Sequence, residues 1–359
     1  MAVFEAGTQF ATPQAGDRSA RALAVLVLCI VLLVVMMIAS LTVGASGTSL
    51  FQALVTWASG EQIELREKVI LFDIRAPRTL LGALVGAALA VSGVVMQGLF
   101  RNPLADPGLV GVSAGAGLGA ISAIVLGGLL PPAIAALTGM YTVPLAAFFG
   151  GWLSTILLYR IATRKGRTSV AVMLLAGIAL GALTGAVAGM LVYIADDNQL
   201  RDLTFWGLGS LAGATWTKLI VAGPLIVLAL IALPFLARGL DALTLGEATA
   251  GHLGIPVQRM KNIAILTVAS ATGASVAVSG GIGFVGIVVP HLLRLSIGPS
   301  HRYLLPISAL LGAAFLLGAD MISRTIVAPG ELPIGIITAT IGGPFFLYVL
   351  LRSRGILDM

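Results

Sequence analysis

Ten apolar stretches, most of them about as long as one bilayer crossing, occupy most of this chain and leave only short polar connectors between them. A hydrocarbon core about 30 Å thick needs about 20 residues of α-helix. On that ruler the spans fall at 21–44, 77–100, 108–130, 141–161, 168–193, 218–237, 262–281, 283–297, 303–325 and 333–352, the eighth being short. The runs lack the two-residue alternation of barrel strands, so they read as helices. Only 10% of the 359 residues are charged, against about 25% in a soluble chain. The fold class is therefore all-α polytopic membrane protein. One ten-helix domain covers 21–354, preceded by an N-terminal tail over 1–20. The first run is too long, and its flank too polar, for a cleaved signal.

Charge placement orients the helices. With the N-terminus inside, Arg18, Arg21, Arg101, Arg160, Arg294 and nine other basic residues lie on the cytoplasmic side, while Arg66, Lys68, Arg75, Arg78, Arg201, Lys218 and Arg324 lie outside. The excess on the inside places both termini in the cytoplasm. It also accounts for the net charge of +6 without a nucleic-acid partner. Cys29 is the one cysteine, so the chain has no internal disulfide and no zinc cluster.

Leu84–Gly93 in the second span reads like Ala271–Gly280 in the seventh, and spans five apart cross the bilayer in opposite directions. That pattern predicts an inverted repeat relating spans 2–5 to spans 7–10, an architecture of transporters. Gly177, Gly181, Gly185 and Gly189 recur every fourth residue and make one small ridge on the fifth helix. Such a ridge either packs closely against a neighbour or lines a path that another helix passes. Pro224, Pro290, Pro306 and Pro344 predict kinks or breaks.

Several chemistries are missing. No Gly-Lys pair exists, so ATP, if it drives transport, binds another polypeptide. Gly281-Ile-Gly-Phe-Val-Gly286 matches a dinucleotide pattern but follows no strand, and reads as a helix break or a close contact. His252, His291 and His301 lack metal-ligand spacing, so no metal site is expected. No catalytic constellation faces a common site, and the chain reads as a non-enzyme. An ion-coupled carrier would need a midplane carboxylate; Asp320 is the candidate, and an i,i+4 pair with Arg324 is the simpler account.

Two inner connectors stand out. Arg101-Asn-Pro-Leu-Ala-Asp-Pro-Gly108 is a compact two-proline turn. The segment 239–257 is too polar to span, and Leu240, Leu243 and Leu245 give it a short amphipathic helix followed by a break at Gly251 and Gly254. Such a helix rests on lipid or docks into a partner's groove.

Together with Arg75-Ala-Pro-Arg78, Gly283-Phe-Val-Gly-Ile-Val-Val-Pro-His-Leu-Leu-Arg294 and Glu331-Leu-Pro-Ile-Gly335, these elements resemble the permease subunits of the iron-chelate, haem and cobalamin ABC importers. The resemblance runs from about residue 70 to 352. It implies a homodimer in the bacterial inner membrane with the path on its two-fold axis. It also implies two cytoplasmic ATPase subunits, which bind ATP and magnesium, and a periplasmic substrate-binding protein. By the same resemblance Arg75, Arg78 and Arg324 receive glutamates of the binding protein, and their forks on an outward surface suit that role. Asn102 and Leu104 match the inner gate. The loop carrying Leu243, Leu245 and Glu247 matches the ATPase-coupling segment, and the fifth and tenth helices line the path. The stretches 195–206 and 298–306 look most similar to the haem branch. Haem is then transported substrate and no cofactor is bound by this chain, with ferric siderophore and cobalamin as the next readings.

Overall fold

The computed structural model describes residues 18–44, 50–60, 63–164 and 167–357, so positions 1–17 of the expected tail lie outside the described residues. Inside lipid a backbone finds its hydrogen-bond partners only within its own helix, and the apolar runs fold accordingly. The membrane helices are α1 (Ser19–Thr42), α2 (Ala76–Phe100), α3 (Val112–Leu126), α4 (Thr142–Ala162), α5 (Val170–Ile194), α6 (Trp216–Ala232), α7 (Val257–Ser279), α8 (Val285–Ile297), α9 (His301–Ser323) and α10 (Ile334–Leu357). Among the described residues eight helical stretches are long and apolar enough to cross a membrane, and α8 and the Ile334–Val349 part of α10 supply two shorter apolar ones. Each span read from the sequence finds its helix.

The connectors hold structure that hydropathy does not show. A helix over Asp197–Leu208 starts at a capping box, in which Asp196 accepts from the Gln199 amide at 2.9 Å and Gln199 accepts from the Asp196 amide at 3.1 Å. A π-helical turn, Val69–Arg75, leads into α2. Ahead of it lies the short helix Leu50–Ala58.

The buried centre is α2, in which nearly every residue from Leu81 to Phe100 is shielded. It packs against α6, α7, α8 and α9. Small residues set these crossings. A methyl group at Gly86 would fall 2.3 Å from the carbonyl oxygen of Gly312 in α9, and one at Gly93 would fall 2.0 Å from that of Gly286 in α8. With lipid outside, close backbone approach of this kind replaces the hydrophobic drive of a soluble core. The two similar decapeptides lie in α2 and α7, which pack on each other.

The chain breaks between α7 and α8. Gly280 has φ +71° and Phe284 φ +68°, and Gln97 donates to the Gly286 carbonyl at 3.0 Å. The glycine pattern there is thus a helix break with close packing. Pro224, Pro290, Pro306 and Pro344 sit inside helices that run through them, so the expected proline breaks are not where the chain interrupts. A proline removes one donor from a ladder, whereas two left-handed residues change the chain direction.

Candidate functional site

At the end of the bundle where α1 finishes and α2 begins, Arg75, Arg78 and Arg324 converge, with 3%, 4% and 5% of their surfaces exposed. Arg78 spreads its fork over two acids. Its Nε and Nη2 donate to Asp320 at 2.8–3.1 Å, while Nη1 and Nη2 donate to Glu331 at 2.8 and 2.9 Å. Arg324 Nη2 donates to the carbonyl and hydroxyl oxygens of Ser40 at 2.8 and 3.1 Å, and Ser40 in turn bonds Thr79 at 2.8 Å. Arg75 Nη1 donates to the carbonyls of Leu41 and Thr42, at the C-terminal end of α1, where a cation is favoured. The cluster ties α1, α2 and α9 together.

This corrects the expectation of open guanidinium forks on the outer surface. Charges at the edge of a low-dielectric slab must be paired and hydrogen-bonded, and here the chain itself supplies the partners. The i,i+4 contact of Arg324 with Asp320 is present at 3.7 Å, but the close partner of Asp320 is Arg78. Glu331, whose side chain is 37% exposed, is the accessible carboxylate of the cluster. Nothing in the apolar run marks Ser40 as a partner.

At the opposite end of α2 Asn102 is exposed and Leu104 half-buried, and the Asn102 side chain accepts from the Leu104 amide at 3.0 Å. The bond fixes the two-proline turn between α2 and α3. The segment 239–257 folds as two short helices, Ala237–Leu243 and Glu247–His252, divided at Gly246 with φ +103°. The expected break at Gly251 and Gly254 is present, where the second helix ends at His252 and Gly254 takes φ +79°, and the turn at Gly246 is an additional one. Leu240 and Leu243 are 0% and 1% exposed and belong to the protein's own core, which corrects the placement of Leu243 at an ATPase contact. Leu245, at 65%, and Leu253, at 61%, are the leucines that project. Glu247 pairs with buried Lys261 at 2.6 Å, and Lys261 also donates to the Thr168 carbonyl at 3.2 Å.

On the role that the resemblance implies for this segment, Leu245→Asp should leave the protein folded and remove its co-purification with an ATPase subunit. Leu243→Asp should lower expression and thermal stability, since burying a charge without a partner costs several kcal/mol. Size-exclusion profiles of the two variants, with and without the ATPase, check the contrast.

The α5 ridge is bare. A methyl group at Gly181, Gly185 or Gly189 would meet no atom within 4 Å, and Ile178, Leu183 and Met190 are exposed beside it. Gly177 is half-buried on the same helix. No described atom packs against Gly181, Gly185 or Gly189, so static packing inside the protomer does not explain why these three are small. Among the histidines, His301 bonds Asp241, His291 lies edge-on to Phe345, and His252 ends the helix Glu247–His252 in an exposed position. Among the described residues no group of three or more His, Cys, Asp or Glu could hold a metal ion.

Comparison with known proteins agrees with this arrangement. The model of the FecCD transport family matches residues 30–352. The hemin transport system permease protein HmuU of Yersinia pestis is 46% identical over 325 residues, which is 90% of this chain and 94% of that protein. The vitamin B12 import system permease protein BtuC of Klebsiella pneumoniae is 44% identical over 298 residues, 82% of this chain and 86% of that one. A solved structure described as an inward-facing conformation of a metal-chelate type ABC transporter superposes with a TM-score of 0.80 at 33% identity, over 92% of this chain and 99% of the other. Permeases of this kind are not catalytic, and ATP hydrolysis lies in a separate subunit. The chain belongs to the FecCD transport family, as the membrane-spanning permease subunit of an ATP-driven type II importer.

Proposed function

We propose that the chain carries haem across the bacterial inner membrane, with both termini in the cytoplasm. The observation that carries this reading is the match to the hemin permease, which is 46% identical and extends over 90% of the chain. Cobalamin is the second reading, favoured by permeases 44–45% identical over 80–82% of the chain. The path lies between two copies of the chain. The bare glycine ridge of α5 supports that arrangement, because an apolar face without side chains lets a large flat ring pass and holds it only weakly. Asn102 and Leu104 close the inner end, and the coupling helices around Leu245 and Glu247 meet the ATPase. At the outer end Arg78 receives the binding protein by exchanging its exposed partner Glu331 for a carboxylate of the docking protein, while Arg75 and Arg324 hold it in place.

Reconstitution with the ATPase and binding protein in liposomes tests the substrate. ATP-dependent accumulation of haem, with no accumulation of cobalamin or a ferric siderophore, is the expected result. Accumulation of cobalamin in place of haem would overturn it. Iron ligation by this chain is not needed for passage, so His252→Ala and His291→Ala should leave haem accumulation within about twofold of wild type, because conduction favours weak, distributed contacts.

A further inference from the structure

Beside the inner gate lies a cavity of about 290 Å³ with an unusual polar wall. Gln97, Arg101, Asn102, Thr244, Arg294 and His301 contribute to it, and no carboxylate lines it. Three buried polar atoms of this wall have no partner among the described residues: Gln97 Oε1, Arg294 Nε and His301 Nε2. Gln97 and His301 are each 2% exposed. Each has spent its other polar atom elsewhere, Gln97 Nε2 on the Gly286 carbonyl and His301 Nδ1 on Asp241 at 2.6 Å. Asp241 also accepts from the His301 amide at 2.9 Å, so that acid is occupied on the imidazole and not on the arginines.

The guanidinium groups of Arg101 and Arg294 form no ion pair with any described residue. They reach the cavity from different elements. Arg101, with φ +49°, ends α2 at the start of the gate turn, and Arg294 lies in the last turn of α8. Two arginines without acids around one partly open cavity repel one another until an anion joins them, and a guanidinium fork matches a phosphate or a carboxylate. The cavity opens on one side and has room for one oxyanion with several waters, and a carboxylate on the edge of a larger ligand can reach it as well.

We propose that this cavity is an oxyanion site in which Arg101 and Arg294 bind one phosphate or carboxylate group, clamping the α2–α3 gate turn to α8. The anion comes either from free inorganic phosphate in the cytoplasm or from a carboxylate of the cargo leaving the gate. The second source rests on the haem reading; the first does not.

The full-length permease in lipid nanodiscs, without its ATPase, separates these sources. Its thermal unfolding midpoint is measured in sodium phosphate against sodium chloride at equal ionic strength, and separately with mesoporphyrin against its dimethyl ester. A saturable rise with phosphate is expected in wild type. The apparent affinity should fall about tenfold or more in Arg294→Met, and Arg294→Lys should be intermediate because it keeps the charge without the fork. Arg101→Met alters an exposed side chain and provides the same readout should Arg294→Met fold poorly. An arginine-dependent rise with mesoporphyrin but not its ester, and none with phosphate, assigns the site to the cargo. A phosphate response alone keeps the site and assigns it to the free ion, whatever the cargo proves to be. Equal midpoints in wild type and both methionine variants for every anion would overturn the proposal.

Discussion

Asp320→Ala is expected to lower the stability of the folded permease by about 3–5 kcal/mol, the usual cost of removing one partner from a buried ion pair. The carboxylate is 1% exposed and holds Arg78 at 2.8 Å and Arg324 at 3.7 Å. Its loss leaves Arg78 with Glu331 alone and Arg324 with Ser40 alone. The larger part of the effect is the uncompensated charge, not the lost attraction. The double variant Arg78→Met/Asp320→Leu should therefore recover much of what the single variant loses, since apolar replacements of similar volume are often neutral. Thermal unfolding of purified protein in one detergent measures both. A single variant with the wild-type midpoint would show that the outer cluster contributes nothing to the fold. It would also remove the argument that these arginines are buried because they hold α1, α2 and α9 together.

The second large effect comes from placing the same substitution on two kinds of glycine. Gly93→Leu should prevent folding, because even its first carbon would fall 2.0 Å from a backbone oxygen in α8 and the backbone there has no rotamer to yield. Overpacking of a core costs about 1–3 kcal/mol, and more where backbone must move. Gly185→Leu adds the same side chain where no atom lies within 4 Å, so the protomer should fold and purify normally. Uptake in that variant should nevertheless fall to background, because on the proposed reading the added side chain enters the path between two copies. Expression, elution profile and ATP-dependent uptake of both variants decide the matter. Normal transport by Gly185→Leu would mean that the ridge faces lipid.

The two glycines look alike in the sequence, and so do the leucines of the coupling segment. Leu243 and Leu245 are two residues apart on a stretch read as one amphipathic helix, yet one is 1% exposed and the other 65%. The amphipathic pattern shows a helical segment that stops at Gly251 and Gly254, but not the additional turn at Gly246 that divides it. The turn at Gly246 comes directly after Leu245 and sends the chain into a second helix. The arginines follow the same logic. Their position at helix ends, beside α2 and α9, is legible from charge placement, because a guanidinium near a bilayer edge must find water or a partner. Which of the two it finds is not.

What the sequence determined by itself was the number of apolar spans, their limits to within a few residues and the break near Gly280. These follow from local rules: a bilayer crossing imposes its composition on every residue of the span, and a chain reversal is written in neighbouring residues. What only the tertiary structure decided was which charges are paired, which glycines are occupied and which arginines are left facing a cavity. Arg78 meets Asp320 across 242 positions, and Gln97 meets the carbonyl of Gly286 across 189. Contacts at that separation depend on helix rotation and crossing depth. In a membrane those are set by the close packing of small side chains and not by any hydrophobic pattern along the chain.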